Sequence, residues 1–416
     1  MTLARRLKCI VPSSSASIRP AKSSLSSAGH FSSGVKLRKL ILRLGASQLL
    51  PILSYRKIST YYTSLILSGN FAIDFPDPCG IPYYISHAKK HCAMEQVLYS
   101  TPDNPAPENR TEGFFETHDG HRLRYAVFRS QTLAAHGTVV LLHGRSEYIE
   151  KYFETIRDLT AKGLWVATYD LRGQGGSSRL IKKRNHGHIR RFSDYERDLD
   201  TFLEKIVLPD TRLPFYMLAH STGALIALSA APYLSTRIER MVLSAPFLGL
   251  IGQSASQGVI RSLSTALCAI GLGGLPLGKM KELQFLDNPL TSDETRFERN
   301  AAIAKAHPEL ALGAPTARWM HECMKAIDRV TQPYHLFSIT IPSVVIAPTR
   351  DGLVPYTAQE RLSRYFRAGQ LVPINGARHE IFQERDMYRA AALSAFHAFI
   401  PGSDAEATED VAAIGV

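Results

Sequence analysis

Phe215-Tyr216-Met217-Leu218-Ala219-His220-Ser221-Thr222-Gly223-Ala224-Leu225 runs an apolar stretch straight into small-x-Ser-x-small and then into an alanine-rich segment. The first part reads as a buried strand and the last as a helix, so Ser221 falls on the turn between them. That is the setting of a nucleophile elbow, where a sharp turn lifts a serine hydroxyl above the edge of a sheet. Small residues two before and two after the serine are needed because strand and helix pass close together there. The usual pattern is G-x-S-x-G, and here Ala219 adds one methyl group at the first position. A serine can also simply cap an ordinary helix. The strand directly before it favours the elbow.

A serine hydroxyl is a weak nucleophile at neutral pH and needs a base. On this kind of sheet the acid follows a later strand and the histidine follows the last one. Asp351 comes after Ser343-Val344-Val345-Ile346-Ala347-Pro348-Thr349-Arg350, and His379 after Leu371-Val372-Pro373-Ile374-Asn375-Gly376-Ala377-Arg378. Taken singly, Asp351 beside Gly352 is an ordinary turn residue and His379 an ordinary surface histidine. Together they stand in the order Ser, Asp, His, each at a strand end, where sites on open parallel sheets gather. Ser221, Asp351 and His379 are therefore the expected nucleophile, acid and base. The expected oxyanion donors are the N–H groups of Thr222, directly after the nucleophile, and of Arg145 in His143-Gly144-Arg145-Ser146-Glu147. His143 reads as a structural loop residue rather than a catalytic one.

Outward from the elbow, Thr138–Leu142, Trp165–Tyr169, Met241–Leu243, Val344–Ile346 and Leu371–Ile374 are similar strand-like runs. Gly113–Thr117 and Leu123–Phe128 flank His118-Asp119-Gly120-His121, and Asp-Gly between short strands signals a hairpin. Helical segments are expected at about 147–162, 193–207, 222–233, 357–367 and 384–399. The alternation predicts an α/β protein: an eight-stranded, mostly parallel sheet with helices on both faces. Residues of about 250–338 break the alternation and look largely helical, far too long for a simple connection. They are expected to form an inserted lid. Asp170-Leu171-Arg172-Gly173-Gln174-Gly175-Gly176-Ser177-Ser178 does not match G-x-G-x-x-G and reads as a structural turn, its Asp and Arg free to pair.

The net charge of +12 is unevenly placed. Residues 1–73 carry 11 Lys and Arg and no acid; taking 11 from 49 leaves 38 basic against 37 acidic residues beyond that point. A nucleic-acid enzyme spreads a basic face over its folded body, so neither nucleic acid nor nucleotide is expected as a partner. The region up to about residue 93 is rich in Ser and basic residues, and no run reaches the roughly 18 apolar residues that span a bilayer. Three readings stand for it: a removable targeting peptide, a basic membrane-surface segment, or a start assigned too far upstream, with Met94 opening the functional protein. The domain division is then 1–93 extension, 94–400 catalytic domain, 401–416 tail.

Cys9, Cys79, Cys92, Cys268 and Cys323 are odd in number and include no C-x-x-C pair, which argues against a disulfide framework and against zinc. Gly273-Gly274-Leu275-Pro276-Leu277-Gly278-Lys279-Met280 approaches a phosphate loop but has Met280 where Ser or Thr must meet magnesium. His186-Gly187-His188 lacks any H-E-x-x-H or cysteine context and reads as a loop. No metal and no organic cofactor is expected.

From about residue 94 to 400 the chain resembles the monoglyceride lipase and lysophospholipase L2 branch of the α/β hydrolases. The matching pieces are His143–Glu147, the Asp170–Ser178 loop, Gly187-His188 with Phe192-Ser193-Asp194-Tyr195, the Ser221 elbow, Asn288-Pro289-Leu290-Thr291-Ser292-Asp293, Gly313-Ala314-Pro315-Thr316, and Asp351 with His379. The Asn288–Asp293 and Gly313–Thr316 pieces are the most specific, since the fold itself does not demand them. The resemblance implies the α/β-hydrolase fold and removal of one fatty acyl chain from a glycerol or glycerophospho backbone. A lysophospholipid is the expected lipid ester substrate. Monoacylglycerol hydrolysis, acyl transfer and non-catalytic lipid binding are the alternatives. A cytoplasmic enzyme with peripheral contact at the inner face of a membrane is the expected setting.

Overall fold

The computed structural model describes residues 96–132, 135–278 and 284–403. The extension over 1–93, the 404–416 part of the tail, and Lys279 and Met280 of the phosphate-loop lookalike lie outside the described residues. Eight strands form one sheet: β1 (Arg110–Glu116), β2 (Arg122–Phe128), β3 (Thr138–Leu142), β4 (Trp165–Tyr169), β5 (Phe215–His220), β6 (Arg240–Ser244), β7 (Ser343–Pro348) and β8 (Gly369–Ile374). Their order is β1-β2-β4-β3-β5-β6-β7-β8. β1 pairs antiparallel with β2, and β2 antiparallel with β4. Every other pairing is parallel, as the expected leading hairpin and six following strands require.

The strands at the centre are continuous apolar runs because both faces are covered. In β3, Val140 and Leu142 point into one core with Met217, Ala219, Met241 and Leu243. Val139 and Leu141 point into the other with Leu218, Val242 and Ile346. The second face is closed by α1 (Phe153–Ala161) and α9 (Asp386–Phe399), through Phe153, Ile156, Ala392 and Phe396. The first is closed by α2 (Ser193–Phe202), which runs on through a π turn at Leu203–Val207, and by α3 (Thr222–Leu234). α8 (Tyr356–Ser363) connects β7 to β8.

Between β6 and β7 the chain inserts α4 (Gln257–Ala269), α5 (Glu294–Ala306), α6 (Ala317–Val330) and α7 (Pro333–Ser338). The insertion is not uniform. α6 buries Trp319, Met320, Cys323, Met324, Ile327 and Val330 in the first core, and α7 adds Leu336. α4 is the opposite case, burying only Ser264 while Val259 and Leu263 stay exposed. Within 250–338, then, exposed apolar residues lie on α4, while α6 and Leu336 of α7 belong to the core. Among the described residues no helix is long and apolar enough to cross a membrane.

Candidate active site

β5 is buried along its whole length and delivers Ser221 to the sheet edge, where α3 begins at Thr222. Ser221 has φ 51° and ψ −113°, a conformation costing a non-glycine residue about 1–3 kcal/mol. The turn is held in place by backbone bonds. Ser221 N–H donates to Ser244 O at 3.0 Å, and Ser221 O accepts from Phe247 N–H at 3.1 Å. Ala219 is fully buried, in register with Leu142 of β3 and Leu243 of β6, so the extra methyl has a place. Gly223 has no such latitude. A Cβ there would stand 2.5 Å from Leu142 O and 2.7 Å from His143 O, both backbone atoms of a neighbouring strand end. Gly223→Ala is therefore expected to destabilise the fold by about 1–3 kcal/mol and to move Ser221 off its base. Paired melting curves and ester turnover measure both, and a variant equal to wild type in each would refute the close-approach argument.

His379 and Asp351 arrive from the loops after β8 and β7. His379 Nε2 lies 3.0 Å from Ser221 Oγ, and His379 Nδ1 lies 2.7 Å from Asp351 Oδ2. Asp351 Oδ1 accepts the N–H groups of Leu353 at 2.8 Å and Val354 at 2.9 Å, which fixes the carboxylate. All three side chains are buried. Burial alone works to lower the pKa of His379, but the charge and hydrogen bond of Asp351 outweigh it, and the net shift is upward from 6.5. Burial likewise works to raise Asp351, and His379 with the two backbone N–H groups holds it below its ordinary value.

A histidine serving as base must be neutral to take a proton, so with His379 in the expected role activity should be lost as pH falls through a pKa lying above the ordinary 6.5. The acid limb of kcat/KM is expected to lie alkaline of that value. Asp351→Asn removes the raising charge and is expected to shift the limb acidwards along with a large loss of rate. A wild-type limb centred below 6.5 would contradict this account.

The loop expected to supply the oxyanion hole sits against Ser221: a Cβ on Gly144 would be 3.1 Å from Ser221 Cβ. Thr222 opens α3, so its N–H is one of the helix's first four and has no intrahelical acceptor. Arg145 lies in the facing loop, and its side chain has a use that sequence reasoning missed. Its guanidinium donates to Ser146 Oγ at 3.0 Å and to Gly313 O in the insertion, and lies 5.2 Å over the Trp319 ring. One residue thus joins the His143–Glu147 loop to the insertion. Trp319 in turn stacks on Phe247 with centroids 6.0 Å apart, and it is the Phe247 N–H that bonds Ser221 O.

Two buried charge clusters support the loop from behind. In one, Lys151 Nζ bridges Glu147 at 2.8 Å and Glu380 at 2.5 Å, and Glu147 also accepts from Gly144 N–H and from Tyr152 Oη–H. Burial pushes against ionisation of Glu147, yet Lys151 holds it well below its ordinary range. In the other, Arg124 Nε donates to Asp170 at 2.7 Å while its two terminal nitrogens grip Glu150 at 2.7 and 2.8 Å. His143 Nε2 lies 3.3 Å from Asp170 Oδ1, within this cluster. Asp170 and Arg172 do not pair with each other: Arg172 instead binds Asp119 of the hairpin and Asp198 of α2. Gly175 and Gly176 are glycines because a Cβ at either would strike Asp170 or Arg124.

His220 was not foreseen either. Its ring packs 4.9 Å from that of His379, and burial, aided by the nearby His379 and Lys151 charges, lowers its pKa to about 4. His220 stays neutral and does not compete for the Ser221 proton. His186 and His188 do not converge on a metal: His188 Nδ1 lies 3.0 Å from Thr316 Oγ1.

Residues 134–386 match the model of the serine aminopeptidase S33 family. The chain belongs to this family. Among its relatives, lysophospholipase L2 of Escherichia coli K12 is 30% identical, over 69% of this chain and 86% of that protein. A probable lysophospholipase L2 of Haemophilus influenzae is 29% identical, over 67% of this chain and 88% of that one. Among solved structures, a soluble variant of monoglyceride lipase from Saccharomyces cerevisiae superimposes with a TM-score of 0.59 at 20% identity, over 74% of this chain and 100% of that one. That likeness shows the α/β-hydrolase fold, with the eight-stranded sheet described above. As a member of the S33 family, the chain resembles both proteins that the sequence motifs had suggested.

Proposed function

We propose that the chain is a serine carboxylic-ester hydrolase that removes the single fatty acyl chain of a lysophospholipid. One observation carries the chemistry: Ser221, His379 and Asp351 stand in hydrogen-bonded series, with Asp351 itself tied to two backbone N–H groups. His379 takes the Ser221 proton, Ser221 Oγ attacks the ester carbonyl, and the N–H groups of Thr222 and Arg145 receive the oxyanion. His379 then protonates the leaving alcohol. Next it draws a proton from water, whose attack on the acyl-enzyme frees the fatty acid and returns Ser221. Two relatives are a lysophospholipase L2 and a probable lysophospholipase L2, which supports a lysophospholipid as substrate.

The part of the insertion before α6 is proposed to act as a lid. Val259, Leu263, Ile270, Leu272 and Leu275 are exposed on it, an apolar surface suited to aggregated lipid and to peripheral contact with a membrane. Activity is expected to rise once the substrate passes its critical micelle concentration. The test is a panel of lysophosphatidylcholine, monoacylglycerol and short-chain nitrophenyl esters, each assayed below and above that threshold. Preference for lysophosphatidylcholine with a step at its threshold supports the reading. Preference for monoacylglycerol moves the substrate to a neutral glyceride, and a flat concentration profile removes the gating lid.

A further inference from the structure

On the side of the molecule where α2 begins, a groove of about 630 Å3 runs between the 188–193 segment and α6. Its lining is strongly one-sided in charge: Arg190, Arg191, Arg318, Lys325 and Arg329 against the single carboxylate of Glu322. Ser221, His379 and Asp351 are not part of it. Two of the five cations are already engaged. Arg329 binds Glu196 and Ser229, and Lys325 Nζ lies 3.6 Å from Glu322. Glu322 is itself buried, accepts the Phe192 N–H at 3.1 Å and offsets one of the five positive charges. The guanidinium groups of Arg190, Arg191 and Arg318 make no ion pair with a carboxylate among the described residues, although the backbone N–H of Arg191 donates to Asp194 Oδ2 at 3.1 Å.

A folded chain that is nearly neutral outside its first 73 residues has no general surplus of charge to place there. Three unmatched guanidinium groups around one concavity concentrate positive potential in a way that scattered surface arginines do not. Their planar, forked donors match an oxyanion with several acceptor oxygens better than a single carboxylate. α2 begins at the same place, with Asp194 and Glu196 in its first turn, so the positive potential of the groove rests on the arginines rather than on the helix end. The volume lies in the range of small-ligand sites. We propose that this groove is a binding site for phosphate esters, separate from the ester-cleaving centre.

Two sources of that chemistry differ in what lies next to the phosphate. Arg318 N–H bonds Gly273 O, and Ala317 N–H bonds Leu275 O, which sets the groove beside the exposed Leu272 and Leu275. A phospholipid headgroup at a bilayer surface would meet cations and apolar side chains together. A free phosphate ester would use the cations alone. Neither alternative depends on the hydrolase reading, since the groove and the triad share no residue.

The test compares the full chain with R190Q/R191Q/R318Q, and with the charge-preserving R190K/R191K/R318K. One arm measures glycerol 3-phosphate by calorimetry. The other measures partition onto vesicles of phosphatidylglycerol mixed with phosphatidylcholine, against vesicles of phosphatidylcholine alone. Melting curves establish that each variant is folded. The glutamine variant is expected to lose about a hundredfold in partition onto the anionic vesicles, with the lysine variant between it and wild type. Loss confined to the vesicle arm assigns the lipid headgroup. Loss in the glycerol 3-phosphate arm, roughly tenfold or more, assigns a free ester. Equal behaviour of all three proteins in both arms overturns the proposal and leaves the groove a solvated basic face.

Discussion

Ser221→Ala is expected to lower ester turnover by roughly five to six powers of ten, while leaving the melting temperature close to wild type. The asymmetry follows from where the atom sits. Ser221 Oγ has one partner that matters for chemistry, His379 Nε2 at 3.0 Å. The unusual backbone of the elbow is instead held by the bonds to Ser244 and Phe247, which alanine retains. Residues that act as a unit are not additive, so His379→Ala should cost a similar factor and the double variant little more. A fluorophosphonate probe should label wild type and not Ser221→Ala, which also separates catalysis from mere lipid binding. Near wild-type turnover in Ser221→Ala would remove Ser221 from the mechanism, whatever the fold.

The sheet was readable because its strands are buried on both faces, so each appears as an unbroken apolar run bounded by loop residues. The elbow was readable because strand, serine and helix are contiguous in the chain. Asp351 and His379 lie 28 residues apart, and both lie far from Ser221, but each directly follows a strand. Topology therefore carried them to one edge without any need to know side-chain contacts. The helices of the insertion were read less well. α6 repeats apolar residues at Trp319, Met320, Cys323, Met324, Ile327 and Val330, which is the spacing of a core-facing helix. That signal was present, and it separates α6 from the exposed α4 once each helix is taken by itself.

The charge clusters were not readable, for a different reason. Arg124 and Asp170 are 46 residues apart, and Lys151 and Glu380 are 229 apart. Nothing in the local pattern marks a charge as buried, because Arg124 occupies an ordinary alternating position in β2. The same holds for the Arg145 side chain, whose acceptor at Gly313 lies 168 residues further along. The glycines of the Asp170–Ser178 loop did carry a trace of the cluster. Gly175 and Gly176 clear space for a carboxylate and a guanidinium that the sequence alone does not place.

Arg124→Met is expected to produce the largest loss of stability of any single change at this site. Arg124 is 1% exposed and is held by both Glu150 and Asp170, which are fully buried. Methionine replaces the length of the side chain but leaves two buried carboxylates without their cation. Removing one partner of a buried ion pair costs about 3–5 kcal/mol, a large share of the 5–15 kcal/mol that typically holds a domain together. The loss should depend on pH. In wild type, burial works to raise Asp170, but the charge of Arg124 and the contact with His143 hold it below its ordinary value, so it contributes stability above the unfolded carboxylate pKa. Burial already pushes Glu150 upward against the pull of Arg124. Without Arg124 both groups should rise, the folded state should bind more protons than the unfolded chain, and stability should fall as pH increases. The gap between wild type and Arg124→Met is thus expected to be wider at pH 8 than at pH 5, because carboxylates raised in this way titrate above their ordinary range. Urea unfolding at the two pH values measures it. Because Asp170 also fixes the loop carrying Gly144 and Arg145 through the N–H of Ile149, turnover should fall in the variant even where it remains folded. A gap that is small and independent of pH would show that the two carboxylates find other partners, and that the oxyanion loop does not depend on this cluster for its position.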